Sequence, residues 1–198
     1  VILIFQWTPV EAGKRTSKTM MLENGLEVLL IHDLDVHRSA AALSVGTGSL
    51  FDPEDKLGLA HYLEHMLFLG TKKYPEVGSF KKHLTENSGA SNAYTASSTT
   101  NYFFQVSHEG FENALDRFSD FFKAPLFDKK YSEREVNAVS SEHDKNVMSD
   151  GWRKGYIIDL ASEPAHPIRK FGTGNKETLA GDNRLALLDF YLKYYSAS

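Results

Sequence analysis

The 198-residue chain contains no cysteine. That absence excludes disulfides, a thiolate nucleophile and every cysteine-based zinc or iron–sulfur site, so any metal must be held by His, Asp and Glu. The compartment stays open, because a cysteine-free chain is compatible with the cytosol and the periplasm alike. A basic excess is missing too: 22 Lys and Arg stand against 26 Asp and Glu, a formal net charge of -4. With no Lys/Arg-rich run to neutralise a row of phosphates, nucleic acid is excluded as the partner. Long apolar runs are also absent. The opening stretch Val1 to Phe5 is five residues, too short for a signal core or a membrane span, and reads as a first strand in preference to the remnant of a trimmed leader. There is no internal repeat, low-complexity tract or clear linker. What is present is the make-up of an ordinary soluble globular protein, 41% hydrophobic and 24% charged, in a length that fits one domain with a real core.

The pattern along the chain alternates between strand and helix. Asn24-Gly25 is a turn signal, and Leu26 to Ile31 after it reads as a strand, with Ala40 to Val45 as a second. Gly46-Thr47-Gly48-Ser49 begins like a dinucleotide fingerprint, but Phe51 stands where the third glycine belongs, which leaves a tight strand-to-loop bend. From Asp52-Pro53 the period becomes helical, with Leu59, Leu63, Met66 and Leu67 on one side and Gly70 as C-cap. A shorter helix is expected over Val77 to Asn87, and a strand over Thr99 to Val106. Phe111, Leu115, Phe118 and Phe122 recur at helical spacing until Pro125 and read as core. Ser132-Glu133-Arg134-Glu135 has the capping-box form and opens a helix to about Val147. Two more helices follow, Trp152 to Ser162 and Asp182 to Tyr195, the latter with Leu185, Leu188 and Leu192 in register; the loop Gly172-Thr173-Gly174-Asn175-Lys176 between them lacks phosphate-loop spacing. Interspersed strands and helices in this order make a single α+β domain.

Two of the eight histidines fall in His61-Tyr62-Leu63-Glu64-His65, inside an otherwise apolar stretch. At about 100° per residue, His61 and His65 lie about 40° apart and Glu64 about 60° from His61, all on one face one turn long. Imidazoles at i and i+4 can present their nitrogens to one ion, with the glutamate beside them close enough to act on its water without being a ligand. A lone histidine there would read as a satisfied polar residue at the edge of a core. Three such groups, buried unpaired, would cost several kcal/mol, so something must satisfy them. A further carboxylate or imidazole is needed to close the site. Glu135 and Glu142 share a face two turns apart on the helix that opens at Ser132, and spacing alone leaves both open. The capping box already accounts for Glu135, which favours Glu142; His143 points about 100° away from Glu142 and reads as a surface or inter-element contact.

His61-x-x-Glu64-His65 is the inverted zinc motif H-x-x-E-H. Followed by a glutamate 77 positions after the second histidine, it resembles the pitrilysin family of metallopeptidases, most of all its insulin-degrading-enzyme branch. The stretches GLAHYLEHMLFLGTKKYP, SGASNAYTASSTTNYFF, ALDRFSDFF, PLFD, EREVNAVSSEHDKN and KFGTGNKETL are similar as well, and the resemblance runs from about Lys18 to the last residue. It implies an α+β domain of mostly antiparallel sheet covered by helices, like those of pitrilysin and the mitochondrial processing peptidase. It implies that 1–198 is a single N-terminal zinc-binding peptidase domain that stops inside its natural course at the C-terminus. The implied ligands of one zinc ion are His61, His65 and Glu142, with Glu64 as general base and Glu135 supporting the ligands. Asn92 and Ala93 match the family's edge strand on which substrate backbone lies; the residues themselves offer only a short β-prone run after Gly89. The expected activity is zinc-dependent endopeptidase or oligopeptidase cleavage of a peptide or small protein. The family also implies that a C-terminal half or a partner subunit completes the active site. The alternative is a piece that binds metal or peptide without turnover when that half is missing.

Overall fold

Asn24-Gly25 does turn the chain: Leu22 and Leu26 close a hydrogen-bonded loop, with Gly25 at a φ of 86° that other residues rarely adopt. It joins β1 (Arg15–Met21) to β2 (Glu27–Asp33) as an antiparallel pair in the register Thr19↔Leu29. The computed structural model describes residues 15–197, so the Val1 to Phe5 run lies outside the described residues. β1 is a strand the sequence reading passed over, because RTSKTMM has no clean apolar alternation and is fixed by its partner β2.

The second sheet is built from β3 (Ser39–Val45), β4 (Ala90–Thr95) and β5 (Thr100–Val106), all antiparallel, in the order β3-β5-β4. Central β5 alternates strictly: Thr100, Tyr102, Phe104 and Val106 are buried, while Asn101, Phe103 and Gln105 face the other way. Helices cover the inward face, giving the expected antiparallel sheet under helices. α1 (Leu59–Leu67), α2 (Ser79–Glu86) and α3 (His108–Phe121) pack on it, α4 (Ser132–Val147) and α6 (Arg184–Tyr194) pack on α1, and α5 (Asp150–Leu160) packs on α4.

Aromatic packing closes the core beneath the sheet. Phe80 of α2 meets Phe104 of β5 and Phe121 of α3 edge-on at ring centroid distances of 5.7 and 5.1 Å. Leu59, Leu63, Met66 and Leu67 of α1 are all buried, as their spacing predicts. Two stripes differ from expectation. On α3 the departure is Leu115 alone, which is exposed; Phe118 is buried and Phe111 and Phe122 pack against the core as their spacing predicts, with Ala114 and Phe121 buried beside them. On α6, Leu185 and Leu192 are 72% and 73% exposed while Leu187 and Phe190 are buried. Leucines at 3- and 4-residue spacing mark a helix face without saying which face the core takes.

Candidate metal centre

The helix that carries the motif starts at Leu59, later than Asp52 where the period changes. Residues 52–58 instead turn back, and the buried Asp52 carboxylate accepts the N–H groups of Gly58 (2.7 Å) and Ala60 (2.8 Å). These are orphan donors of the first turn of α1, satisfied from six and eight residues upstream. Burial pushes the Asp52 carboxyl up to about 7 against the lowering effect of those two N–H groups. No N-cap rule points to Asp52, because Gly58 at φ 87° occupies the cap position itself. At its other end α1 closes at Leu67, and Gly70, at φ 122°, lies three residues beyond.

α1 packs across α4, with Val139 buried between the helices and the Tyr62 hydroxyl 2.8 Å from Ser132 Oγ at the start of α4. That contact corrects one expectation. Ser132 is already helical and its hydroxyl belongs to Tyr62, so the capping box does not form. Glu135 is released to reach across: its Oε2 accepts from His65 Nδ1 at 3.4 Å, and its Oε1 pairs with Arg134 at 2.8 Å. The hydrogen bond from His65 holds the Glu135 carboxyl below its usual range.

The structure brings His61, His65 and Glu142 together, with one ligand atom of each lying within 4.8 Å of the others. His61 Nε2 is 3.3 Å from Glu142 Oε2, and His65 Nε2 is 3.6 Å from Glu142 Oε1. Zinc bonds of about 2.0–2.1 Å at tetrahedral angles set ligand atoms about 3.3 Å apart. The protonation pattern fits a cation equally well. His61 Nδ1 donates to the Thr173 carbonyl at 2.8 Å, and His65 Nδ1 to Glu135. Nε2 of each ring is thereby left facing the Glu142 carboxylate, an arrangement that calls for a positive charge between them, a proton or a metal ion. The same need shows in the acid–base balance. Burial would lower the His61 pKa, but the Glu142 carboxylate, the Thr173 carbonyl and the Glu64 charge outweigh it and raise it. In turn His61 holds the half-exposed Glu142 below the usual carboxylate range.

Glu64 projects from the same face but is not among these ligand atoms. It is buried, and its Oε2 accepts the Thr95 hydroxyl at 2.7 Å. Burial raises its carboxyl above the ordinary range, with Thr95 and the two histidines pulling the other way. Thr95 ends β4, which lies at the edge of its sheet with exposed Asn92 opposite Phe103 and Ala93 opposite Tyr102. His143 turns to the Phe171 ring, with centroids 4.7 Å apart, as an inter-element contact. Thr173, Thr95 and Asp52 are the contributors that sequence reasoning missed. Each acts through a backbone carbonyl, a strand-terminal hydroxyl or an upstream carboxylate that carries no spacing signal relative to the motif.

The model of the family described as Insulinase (Peptidase family M16) matches residues 27–161. Insulin-degrading enzyme of Homo sapiens is 51% identical over 192 residues, covering 93% of this chain and 19% of that protein. The A-factor-processing enzyme of Saccharomyces cerevisiae is 44% identical over 195 residues, covering 95% of this chain and 19% of that protein. The crystal structure of pitrilysin superposes with a TM-score of 0.91 at 42% identity, covering 94% of this chain and 20% of that one. The chain thus spans about a fifth of the length of the relatives it matches. With the family model over most of its length and the same fold at high identity, the chain belongs to the insulinase family of peptidases, Peptidase family M16.

Proposed function

We propose that this chain carries the zinc-binding catalytic centre of a peptidase that cleaves peptides or small proteins internally. The observation that carries the reading is the convergence of two Nε2 atoms and the Glu142 carboxylate, with the buried Glu64 beside them outside that cluster. His61, His65 and Glu142 would hold one zinc ion. Bound there, zinc supplies a Lewis acid that acidifies a water and polarises the scissile carbonyl. Glu64 takes the proton from the attacking water and returns it to the leaving amine nitrogen as the C–N bond breaks. Its raised pKa suits a group that must accept a proton and then release it. Glu135 and the Thr173 carbonyl fix the imidazole tautomers.

Among the described residues β4 pairs on one side only, and its other edge is suited to an extended substrate, which would pair there by main-chain hydrogen bonds with limited sequence preference. Asn92 and Ala93 lie on that strand three and two residues before Thr95, which touches the base. Substrate alignment and proton transfer are thereby tied to one strand. Glu64→Gln keeps the shape and removes the base, so it is expected to retain zinc while peptide cleavage falls by about 100- to 10,000-fold. Retained cleavage with zinc in place sinks the assignment of Glu64, and absence of zinc binding by the wild type sinks the reading as a whole.

A second reading is favoured by the chain's one-fifth span of its relatives and by apolar side chains left in the open, among them Trp152, Ile157 and Ile158 of α5. In it, the 198-residue piece binds metal or peptide but turns over only once residues from a partner half complete the site.

A further inference from the structure

His61 receives its orienting partner from a loop 112 residues away, and three glycines determine how close that loop comes. Thr173 sits between Gly172 and Gly174. A Cβ on Gly172 would stand 2.6 Å from the Ser49 Cβ, and one on Gly174 3.1 Å from the Gly58 Cα and 3.0 Å from Leu179 Cδ1. From the other side, a Cβ on Gly58 would stand 2.2 Å from the Gly174 Cα and 3.0 Å from the Thr173 carbonyl carbon. Main chain therefore lies directly on main chain where the loop meets the start of α1. Gly58 cannot retreat, because the Asp52 carboxylate holds its N–H and Lys170 Nζ in turn donates to the Asp52 carbonyl at 2.6 Å.

We propose that the Gly58–Gly174 backbone contact is a positioning device for the metal ligand His61: it seats the Thr173 carbonyl on Nδ1 and so turns Nε2 toward Glu142. The proposal rests on the zinc-centre reading above. His65 draws its orientation separately, from Glu135 on α4, so the two imidazoles are set by two independent elements. A methyl at the glycine contact must move the Thr173–Gly174 peptide off His61 while leaving all the ligands and Glu135 in the chain. Loss of such an orienting partner typically weakens metal binding 10- to 100-fold.

The test compares Gly58→Ala and Gly174→Ala with Gly78→Ala in the full polypeptide. Gly78 is the matched control: its φ of 83° carries the same left-handed backbone penalty, but a Cβ there meets nothing within 4 Å. Zinc dissociation constants come from chelator competition, and the visible absorption of the cobalt-substituted protein reports the ligand field. Thermal denaturation in chelator checks folding independently of metal. Zinc affinity is expected to fall at least 10-fold in Gly58→Ala and Gly174→Ala, with an altered cobalt spectrum, and to stay within twofold of wild type in Gly78→Ala. Gly174→Ala is the milder change, asking neighbours to move by a few tenths of an ångström, and decides the matter should Gly58→Ala not fold. Folded variants with wild-type zinc affinity and an unchanged cobalt spectrum overturn the positioning role and leave the zinc centre standing. A wild type that binds neither ion overturns the zinc centre first.

Discussion

The Thr95 hydroxyl engages one Glu64 oxygen, and among the described residues no hydrogen bond holds the other. A buried carboxylate with two free oxygens could swing between partners; one pinned at 2.7 Å would, in the proposed mechanism, present a fixed lone pair to the reacting water. Thr95→Val, nearly the same shape without the donor, is therefore expected to lower kcat about 10-fold with zinc affinity and KM little changed, as for the loss of one hydrogen bond to a charged group. Thr95→Ser should restore most of the rate, and steady-state kinetics on all three proteins checks both outcomes. At this scale the motif was legible in the sequence, because i and i+4 histidines with a neighbouring glutamate share a face in any helix. Glu142 is the carboxylate that meets the Nε2 atoms, and the capping box that would have occupied Glu135 does not form. Glu135 is excluded from the ligand cluster because it engages the Nδ1 side of His65.

Helices α1 and α4 are the elements that turn these residues into a centre, and α1 depends on a carboxylate outside itself. Asp52 titrates near 7 in the folded chain against 3.8 when free. Between those values the folded state holds a proton that the unfolded state has released. Its contribution to stability is thus full below about 4 and is lost as pH rises through about 7. Asp52→Asn cannot ionise, so the decline in unfolding free energy between pH 5 and 8 should flatten relative to wild type in urea titrations of the metal-free protein. An unchanged slope would remove Asp52 from that role. Element positions were readable where the period was clear: α4 runs from Ser132 to Val147 as expected, and β3 begins one residue early. Faces were less so, since Leu185 and Leu192 of α6 and Leu115 of α3 followed the period but pointed away from the core. The pairing of β1 with β2 was not readable at all, because a polar strand owes its existence to its neighbour.

Across the whole molecule, the chain folds a core beneath one three-stranded sheet and leaves apolar surface on the β1–β2 hairpin and on α5, including Leu29, Ile31, Trp152 and Ile158. Scattered exposed apolar residues are ordinary, but clusters of this kind mark surfaces that meet other protein. Among the described residues no helix is long and apolar enough to cross a membrane. Put together with the one-fifth span of its relatives, this leads to a prediction for the purified 198-residue chain. It is expected to bind zinc yet to cleave peptides at least 100-fold more slowly than a polypeptide of its relatives' length. Robust turnover by the isolated chain, measured with a fluorogenic peptide, would show the site to be complete. The amino-acid sequence by itself determined that any metal must be held by histidine and carboxylate, that His61, Glu64 and His65 share a face, and that a further carboxylate or imidazole is needed to close a site there. These follow from composition and from the fixed geometry of one turn of helix. Only the tertiary structure decided that Thr173, Glu135 and Thr95 hold His61, His65 and Glu64, because those contacts join residues 31 to 112 positions apart. Their distances are set by how glycine backbones, a sheet edge and two packed helices come together, and no local pattern encodes that.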